Sequence, residues 1–105
     1  MIEILQNKEN LDKIEFNARD GAEVLGRIAG ELSGDTFVIN ELDCGEFFTD
    51  GLVRAILNLM ALHGIDKARF ELPEHTEILR KLRFFEEEPK IDSIAAFFDK
   101  GCGSK

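Results

Sequence analysis

The segment "ELDCGEFFTDGLVRA", residues 41–55, carries the chain from the end of a strand, through a tight turn, into the start of a helix. The preceding run "TFVINEL" (36–42) has a buried apolar centre, which predicts a strand. The turn glycines of the segment are Gly45 and Gly51. A strand that passes directly into a buried helix is typical of a crossover unit, so this segment decides the fold.

The run that follows, "TDGLVRAILNLMALH" (49–63), is apolar on nearly all sides and predicts a helix buried over most of its surface. We expect Thr49 to cap its N-terminus, Asp50 to suit the first turn, and Gly64 to end it. The short apolar run "ARFEL" (68–72) predicts another strand. A right-handed crossover would place this strand parallel to the one at 36–42.

Upstream of the segment, the pattern predicts an antiparallel meander. Residues 12–18 alternate between apolar and polar side chains, and the Asp20-Gly21 pair that follows is a strong hairpin signal. The run "AEVLGRIAGEL" (22–32) contains two interior glycines, which would each cost about 1 kcal/mol in a helix, so a strand is expected. The turn "SGD" (33–35) then joins it to the strand at 36–42.

Downstream, "EHTEILRKLRFF" (74–85) has helical spacing after Pro73, and residues 84–92 are expected to pair as a last strand. "SIAAFFDKG" (93–101) predicts a short helix that Ser93 caps and Gly101 ends. The predicted fold class is α+β: an antiparallel meander followed by a strand–helix–strand crossover, with a layer of short helices.

The 105 residues, 44% hydrophobic and with nine Phe, indicate one globular domain spanning residues 1–105, with a flexible tail at 101–105. The N-terminal run lacks a basic region and a signal core, and no apolar run reaches the length of a membrane span, so a cytoplasmic location is expected. The two cysteines, Cys44 and Cys102, match no metal-ligand spacing, and a reduced pair is the expectation. We expect the Cys102 thiol to be exposed.

The net charge of −8 argues against nucleic acid or an anionic membrane as partner, because both require a basic surface. It mildly favours a cationic substrate such as an amine.

The run from Val24 to Phe84 resembles the acetyl-CoA-binding core of the GNAT N-acetyltransferase superfamily. The resemblance rests on "GRIAGELSGDTFVINELD", on "GLVRAILNLMALHGI" and on "ILRKLRF", which fall where the family has its strands, its cofactor helix and its closing helix. It covers about sixty residues, and we expect a core without the family's two N-terminal helices. It implies an acyl-CoA cofactor, acetyl-CoA above all, and an amine acceptor.

The resemblance implies a phosphate loop in which the family's Q/R-x-x-G-x-G/A pattern falls on Phe48, Gly51 and Val53. Only Gly51 keeps the required type, because Phe48 is apolar and the branched Val53 stands where a small residue admits phosphate. Backbone N–H groups from Gly51 to Arg54 would hold the pyrophosphate. The cofactor-binding residues implied are Leu42, Asp43, Thr49, Asp50, Gly51, Leu52, Val53 and Arg54.

The family's catalytic pattern implies two residues here. Glu41 is the candidate general base, expected on one face with Phe37 and Ile39, where partial desolvation would raise its pKa. Cys44 is an alternative thiol acid or nucleophile. The family's Tyr falls at Leu79, and its closing glycine falls at Arg83.

Two alternatives stay open at this point. The first is a non-catalytic binding or dimerisation module of the same fold, since the adjacent pairs Phe47-Phe48 and Phe97-Phe98 exceed what one core needs and suggest a homodimer interface. The second is a STAS-like regulatory domain, because "FTDGL" resembles that family's phosphorylation site, with Thr49 as the switch. The STAS-like alternative requires a helix at residues 20–33.

Overall fold

The computed structural model describes residues 2–7, 13–85 and 87–103. Four consecutive strands precede the first helix, and two short strands then lie between the helices, which is an α+β arrangement. The elements are β1 Ile2–Asn7, β2 Ile14–Asp20, β3 Glu23–Ser33, β4 Thr36–Asp43, α1 Glu46–Leu62, β5 Lys67–Phe70, a 3₁₀ turn at Pro73–His75, α2 Thr76–Lys81, β6 Lys90–Ile91 and α3 Ile94–Gly103.

Over the described ranges the strands form one six-stranded mixed sheet in the order β1-β2-β3-β4-β5-β6. Every neighbouring pair is antiparallel except β4 and β5, which run parallel. The meander and the parallel crossover through α1 are therefore confirmed. The turn glycines Gly21 and Gly34 have φ of 64° and 65°, which is the conformation that makes glycine favourable in tight hairpins.

The first strand was not predicted. β1 pairs with β2 from Ile2↔Asp20 to Asn7↔Glu15 and forms one edge of the sheet. Its sequence "IEILQN" begins with the same apolar–polar alternation as the predicted strands. Its six residues are too few for the pattern to decide, and the pairing with β2 identifies them as a strand.

The hydrophobic core lies between one face of the sheet and the helices. α1 packs against β1, β2 and β3, and both α2 and α3 pack against α1. The largest fully buried apolar side chains are Phe37, Ile28, Ile39, Leu52, Ile56, Leu57, Met60, Leu79, Ile94 and Val53. None of the helices in the described residues combines the length and the apolar character needed to cross a bilayer.

The start of α1 differs from the prediction. The helix begins at Glu46 with Gly45 as N-cap residue, so the expectation that Thr49 caps it is wrong. Thr49 lies one turn into the helix, is 2% exposed, and its hydroxyl donates a hydrogen bond to the Gly45 carbonyl oxygen at 3.2 Å. The expected end is confirmed, since Gly64 follows the last turn with φ 78°.

The C-terminal elements differ in length from the predicted ones: the last strand is shorter and the last helix is longer. The run after Pro73 is a 3₁₀ turn followed by α2, and β6 covers only Lys90–Ile91. The cap of α3 is confirmed, because the Ser93 hydroxyl accepts a hydrogen bond from the Ala96 N–H at 3.1 Å. Gly101 does not end this helix, which continues to Gly103.

The STAS-like alternative is contradicted by β3. Its requirement of a helix at residues 20–33 is not met, since Glu23–Ser33 is one strand.

The glycines inside β3 allow close approach of neighbouring groups: a Cβ at Gly26 would lie 2.5 Å from Cys44 Cβ, and one at Gly30 would lie 2.4 Å from the Val38 carbonyl oxygen. Only glycine fits at such distances.

Candidate functional site

A β-bulge in β4 defines the candidate site. The register runs from Gly30↔Ile39 to Ala29↔Glu41, so Asn40 is an extra residue with no partner on β3. The extra residue reverses the alternation of side chains beyond it. Leu42 therefore joins Phe37 and Ile39 in the core.

The same bulge places Glu41 on the opposite, helix-free face of the sheet. The expectation that Glu41 shares a face with Phe37 and Ile39 is wrong for this reason. Its register partner Ala29 lies on β3 between Ile28 and Gly30, which face the helices. Because the side-chain period of a strand is two, Ala29 and Glu41 both point away from them.

The parallel pairing of β4 with β5 ends at the bulge. Ile39↔Phe70 is the last pair, and the Glu71 N–H donates to the Ile39 carbonyl oxygen at 2.8 Å. On the other side, β4 stays paired with β3 as far as Asp43. The edge of β4 from Asn40 to Asp43 thus has no paired strand on the β5 side among the described residues.

Asn40 carries an unpaired polar atom at this edge. Its side-chain oxygen Oδ1 is buried and has no hydrogen-bond partner among residues 2–7, 13–85 and 87–103. Buried polar atoms in folded proteins are nearly always paired, since an unpaired one costs about 1–3 kcal/mol. This unpaired acceptor lies where the pairing of β4 with β5 ends, which makes the region a candidate ligand site.

The N-terminus of α1 lies two residues beyond this edge. Gly45 has φ −73° and provides no side-chain cap. The Phe48 N–H donates to the Gly45 carbonyl oxygen at 3.1 Å, whereas the N–H groups of Glu46 and Phe47 are orphan donors of the first turn by their position. Nothing lies within 4 Å of a Cβ built on Gly45, so the approach to these donors is open.

The phosphate loop expected around Gly51 is not a loop. Gly51 is the sixth residue of α1, and in an α-helix the N–H groups from Gly51 to Arg54 bond to carbonyl oxygens four residues earlier. A Cβ at Gly51 would lie 2.8 Å from Ile4 Cδ1, so its small size serves the packing of α1 on β1. The helix N-terminus belongs to Gly45 and Glu46 instead.

The other residues of the expected cofactor set divide into three groups. Leu42 and Asp43 lie at the open edge of β4, at the candidate site. Thr49, Leu52 and Val53 are buried in the core, where their side chains are closed to a ligand.

Asp50 and Arg54 form the third group and pair with each other on α1. The Arg54 Nε donates to Asp50 Oδ1 at 3.0 Å. The Arg54 guanidinium also lies over the rings of Phe84 and Phe97, 5.6 and 5.5 Å from their centroids. This pair links α1 to α3 and to the segment after α2, which is a structural role.

Glu41 is ion-paired rather than poised as a base. It pairs with Lys13, and its Oε1 accepts from the Arg27 guanidinium at 2.8 Å. Hydrogen bonds from Lys13 and Arg27 hold the pKa of the Glu41 carboxyl below its ordinary value. The expected rise in this pKa is wrong, because the helix-free face supplies two cations instead of an apolar environment.

Cys44 lies between the open edge and the helix N-terminus. It is a free thiol, half-buried, with its Sγ 3.5 Å from the Thr49 hydroxyl. Burial raises the pKa of the Cys44 thiol, so the group is protonated at neutral pH and weak as a nucleophile. The prediction for the Cys102 thiol concerns a side chain outside the described part of the chain.

The phenylalanine pairs separate into different environments. Phe47 is 83% exposed, and its ring meets Phe48 edge-on at 5.1 Å between centroids. Phe97 and Phe98 both pack against the core. The homodimer remains a prediction, and it now rests on Phe47.

The sequence analysis missed Asn40. The sequence signal for it is an Asn inside the apolar run "TFVINEL", since Asn is depleted in strands and an interior polar residue is compatible with a bulge.

In the described part of the chain, no three side chains of the metal-ligating types His, Cys, Asp and Glu gather into a metal site.

The described residues thus define an α+β domain in which the pairing of β4 with β5 ends a few residues before the N-terminus of α1. No protein-family model matches the sequence, and comparisons with curated proteins and with solved structures give no significant match.

Proposed function

We propose that this domain binds an acyl-CoA, with acetyl-CoA as the first candidate, and that it is a small GNAT-like N-acyltransferase. One observation carries the proposal: the pairing of β4 with β5 ends at the Asn40 bulge, and the unpaired edge of β4 leads within a few residues to the N-terminus of α1. An unpaired strand edge that is followed closely by a helix N-terminus suits a ligand with an extended amide-containing arm and a phosphate end.

The arm of coenzyme A is such a chain. Its two amide groups can pair with the main chain of Asn40 to Asp43 as an added strand would. Its pyrophosphate suits the orphan N–H groups of Glu46 and Phe47, where the helix dipole favours negative charge. No basic side chain is required for this mode of binding.

Arg83 adds support to the family resemblance. It has φ 68°, the left-handed region in which glycine is favoured, and it follows α2 directly after Leu82. The family's closing glycine falls on this residue. The backbone therefore has the conformation that the family's motif serves, although the side chain differs.

The reaction would be a direct transfer. The nitrogen of an uncharged primary amine attacks the thioester carbonyl carbon, a C–N bond forms, and the C–S bond breaks. The amine loses one proton and the departing coenzyme A thiolate gains one, so the products are an amide and a thiol. Because Glu41 is ion-paired, we assign it no role as base, and water carries the proton from the amine nitrogen to the thiolate sulfur.

Binding without turnover is the second candidate function. The ion-paired state of Glu41 favours it, since the carboxyl with the lowered pKa is a poor proton acceptor. The two candidates share the same binding site and differ only in product formation.

Calorimetry with acetyl-CoA tests the binding site. Asp at position 45 would cap α1 and stabilise the fold, yet its carboxylate would occupy the orphan N–H groups and repel phosphate. We expect Gly45→Asp to raise the melting temperature and to weaken acetyl-CoA binding at least tenfold. Ser33→Asp adds the same charge at an exposed position beside the opposite end of β4 and is the control, with unchanged affinity. Equal affinity of the wild type and Gly45→Asp would refute this placement of the pyrophosphate.

A thiol-release assay with acetyl-CoA and simple primary amines separates the two candidates. Release of free coenzyme A that depends on the amine supports the transferase. Tight acetyl-CoA binding with no release above the uncatalysed rate supports the binding module.

A further inference from the structure

We propose that the side-chain carbonyl of Asn40 is a ligand-recognition group that accepts a hydrogen bond from a neutral N–H donor in the bound molecule. The inference rests on the proposed acyl-CoA site and adds a specificity-determining side chain to it. Two neutral donors are compatible with the proposed reaction: an amide N–H in the coenzyme A arm and the N–H of the uncharged acceptor amine.

The orphaned oxygen is the first support. Asn40 Oδ1 is buried, and none of the described residues donates a hydrogen bond to it. A side chain that served the fold alone would be more stable as an apolar residue of similar size, because the penalty for burying the carbonyl would disappear. A polar group that is unpaired in the ligand-free protein is consistent with a hydrogen-bond donor that the ligand supplies.

Its position is the second support. Asn40 is the extra residue of the bulge, and the first residue of β4 past the last pair with β5. The residue that carries the unpaired side-chain carbonyl is therefore the one at which the unpaired edge of β4 begins. Bulges commonly re-aim a side chain next to a binding site.

The neighbouring charges are the third support, and they indicate a neutral donor. The nearby cations Lys13 and Arg27 are both engaged with Glu41. Arg69, which pairs in register with Val38 on β4, is engaged with Glu71 through a contact of 2.7 Å. A buried carbonyl without a carboxylate partner does not repay the desolvation of an ammonium group, whereas it matches an amide or an uncharged amine.

The test compares two asparagines that differ in pairing. Asn17 is 4% exposed, and its Nδ2 donates to Glu15 Oε2 at 3.2 Å, so it is a paired control. We expect Asn40→Leu to raise the melting temperature of the ligand-free protein. We expect Asn17→Leu to lower it, since a satisfied polar contact is lost.

Ligand measurements on the same variants complete the test. If the donor is in the coenzyme A arm, Asn40→Leu weakens coenzyme A binding about tenfold and leaves the affinity for adenosine 3′,5′-bisphosphate, which lacks the arm, unchanged. If the donor is the acceptor amine, coenzyme A affinity stays constant and the KM for the amine rises about tenfold. Asn17→Leu should change neither quantity at a temperature where it is folded.

The outcomes separate the inference from the function on which it rests. Wild-type affinity for coenzyme A together with unchanged affinity and amine KM in Asn40→Leu would overturn the role of Asn40 alone. A lower melting temperature for Asn40→Leu would overturn it as well, because the carbonyl would then be paired in the free protein. Absence of coenzyme A binding by the wild type would overturn the proposed function, and the role of Asn40 with it.

Discussion

Arg27 and Glu41 face each other across β3 and β4 on the helix-free side of the sheet, with 2.8 Å between Arg27 Nη2 and Glu41 Oε1. This contact depends on the bulge one residue earlier. In a regular strand Glu41 would point into the core beside Ile39, where a charged carboxylate would be strongly unfavourable. The extra residue Asn40 therefore places Glu41 on the face where it pairs with Arg27.

The first prediction concerns the pH dependence of stability. The folded-state pKa of Glu41 is lowered, chiefly by its hydrogen bonds from Lys13 and Arg27. The stabilisation is fully present above the unfolded-state pKa of about 4.3 and is lost as the pH falls from there through the lowered folded-state pKa. We expect Glu41→Gln to reduce the free energy of unfolding at pH 7 by about 0.5–1 kcal/mol, since its side chain is 30% exposed.

Urea denaturation from pH 7 to pH 2 measures this effect. The difference between the wild type and Glu41→Gln should shrink towards zero at the acid end. Glu23→Gln, at the exposed start of β3, is the matched control and should leave the profile unchanged. A Glu41→Gln difference that stayed constant over the whole pH range would exclude an ionic origin.

The second prediction concerns Arg83. Its backbone has φ of 68°, a conformation that costs L-residues about 1–2 kcal/mol and that glycine adopts without this cost. We expect Arg83→Gly to raise the free energy of unfolding by about 0.5–1 kcal/mol. Lys81→Gly, two residues earlier and still helical, should lower it by about 1 kcal/mol. Chemical denaturation measures both, and destabilisation by Arg83→Gly would contradict the assigned backbone conformation.

The third prediction concerns Gly30, where β3 meets β4. A Cβ there would lie 2.4 Å from the Val38 carbonyl oxygen and 2.7 Å from Phe37 Cζ. Because the Val38 contact is with backbone, one of the strands would have to move, and we expect Gly30→Ala to cost about 1–3 kcal/mol of stability. Gly45→Ala, with nothing within 4 Å of its Cβ and a negative φ, should cost less than about 1 kcal/mol. Equal costs in denaturation experiments would count against the close approach.

The fourth prediction concerns Gly51, which the structure removes from the phosphate site. Alanine favours a helix interior by about 1 kcal/mol over glycine, and the Ile4 methyl group 2.8 Å from the added Cβ is the end of a flexible side chain. We expect Gly51→Ala to leave stability unchanged or to raise it by up to about 1 kcal/mol, and to leave acetyl-CoA affinity unchanged. Loss of affinity in calorimetry, with stability retained, would return the phosphate site to Gly51.

The fifth prediction concerns the link that Arg54 makes between helices. Its guanidinium contacts the Asp50 carboxylate and the faces of Phe84 and Phe97. Arg54→Met keeps most of the aliphatic packing but removes the charge, and we expect a loss of about 1 kcal/mol. Asp50→Asn in the wild type and in Arg54→Met closes a double-mutant cycle. A coupling energy near zero would mean that the rings, and not Asp50, account for the effect.

The sequence by itself determined the meander, the buried helix and the crossover. These depend on short-range regularities: a period of two in the strands, Asp20-Gly21 and Gly34 at the hairpin turns, and a continuous apolar surface on α1. The parallel pairing of β4 with β5 follows from the handedness of strand–helix–strand connections. Local preference and chain geometry are sufficient for each of these features.

Only the tertiary structure decided where the candidate site lies. A bulge is a mismatch between two strands, so the extra residue Asn40 is recognised only when β3 lies beside β4. The start of α1 at Glu46 likewise depends on the end of β4 at Asp43, where the chain leaves the sheet. Because a shift of one residue reverses the two faces of a strand, the bulge moved Glu41 from the predicted catalytic face to an ion-paired surface, and no local pattern contains that information.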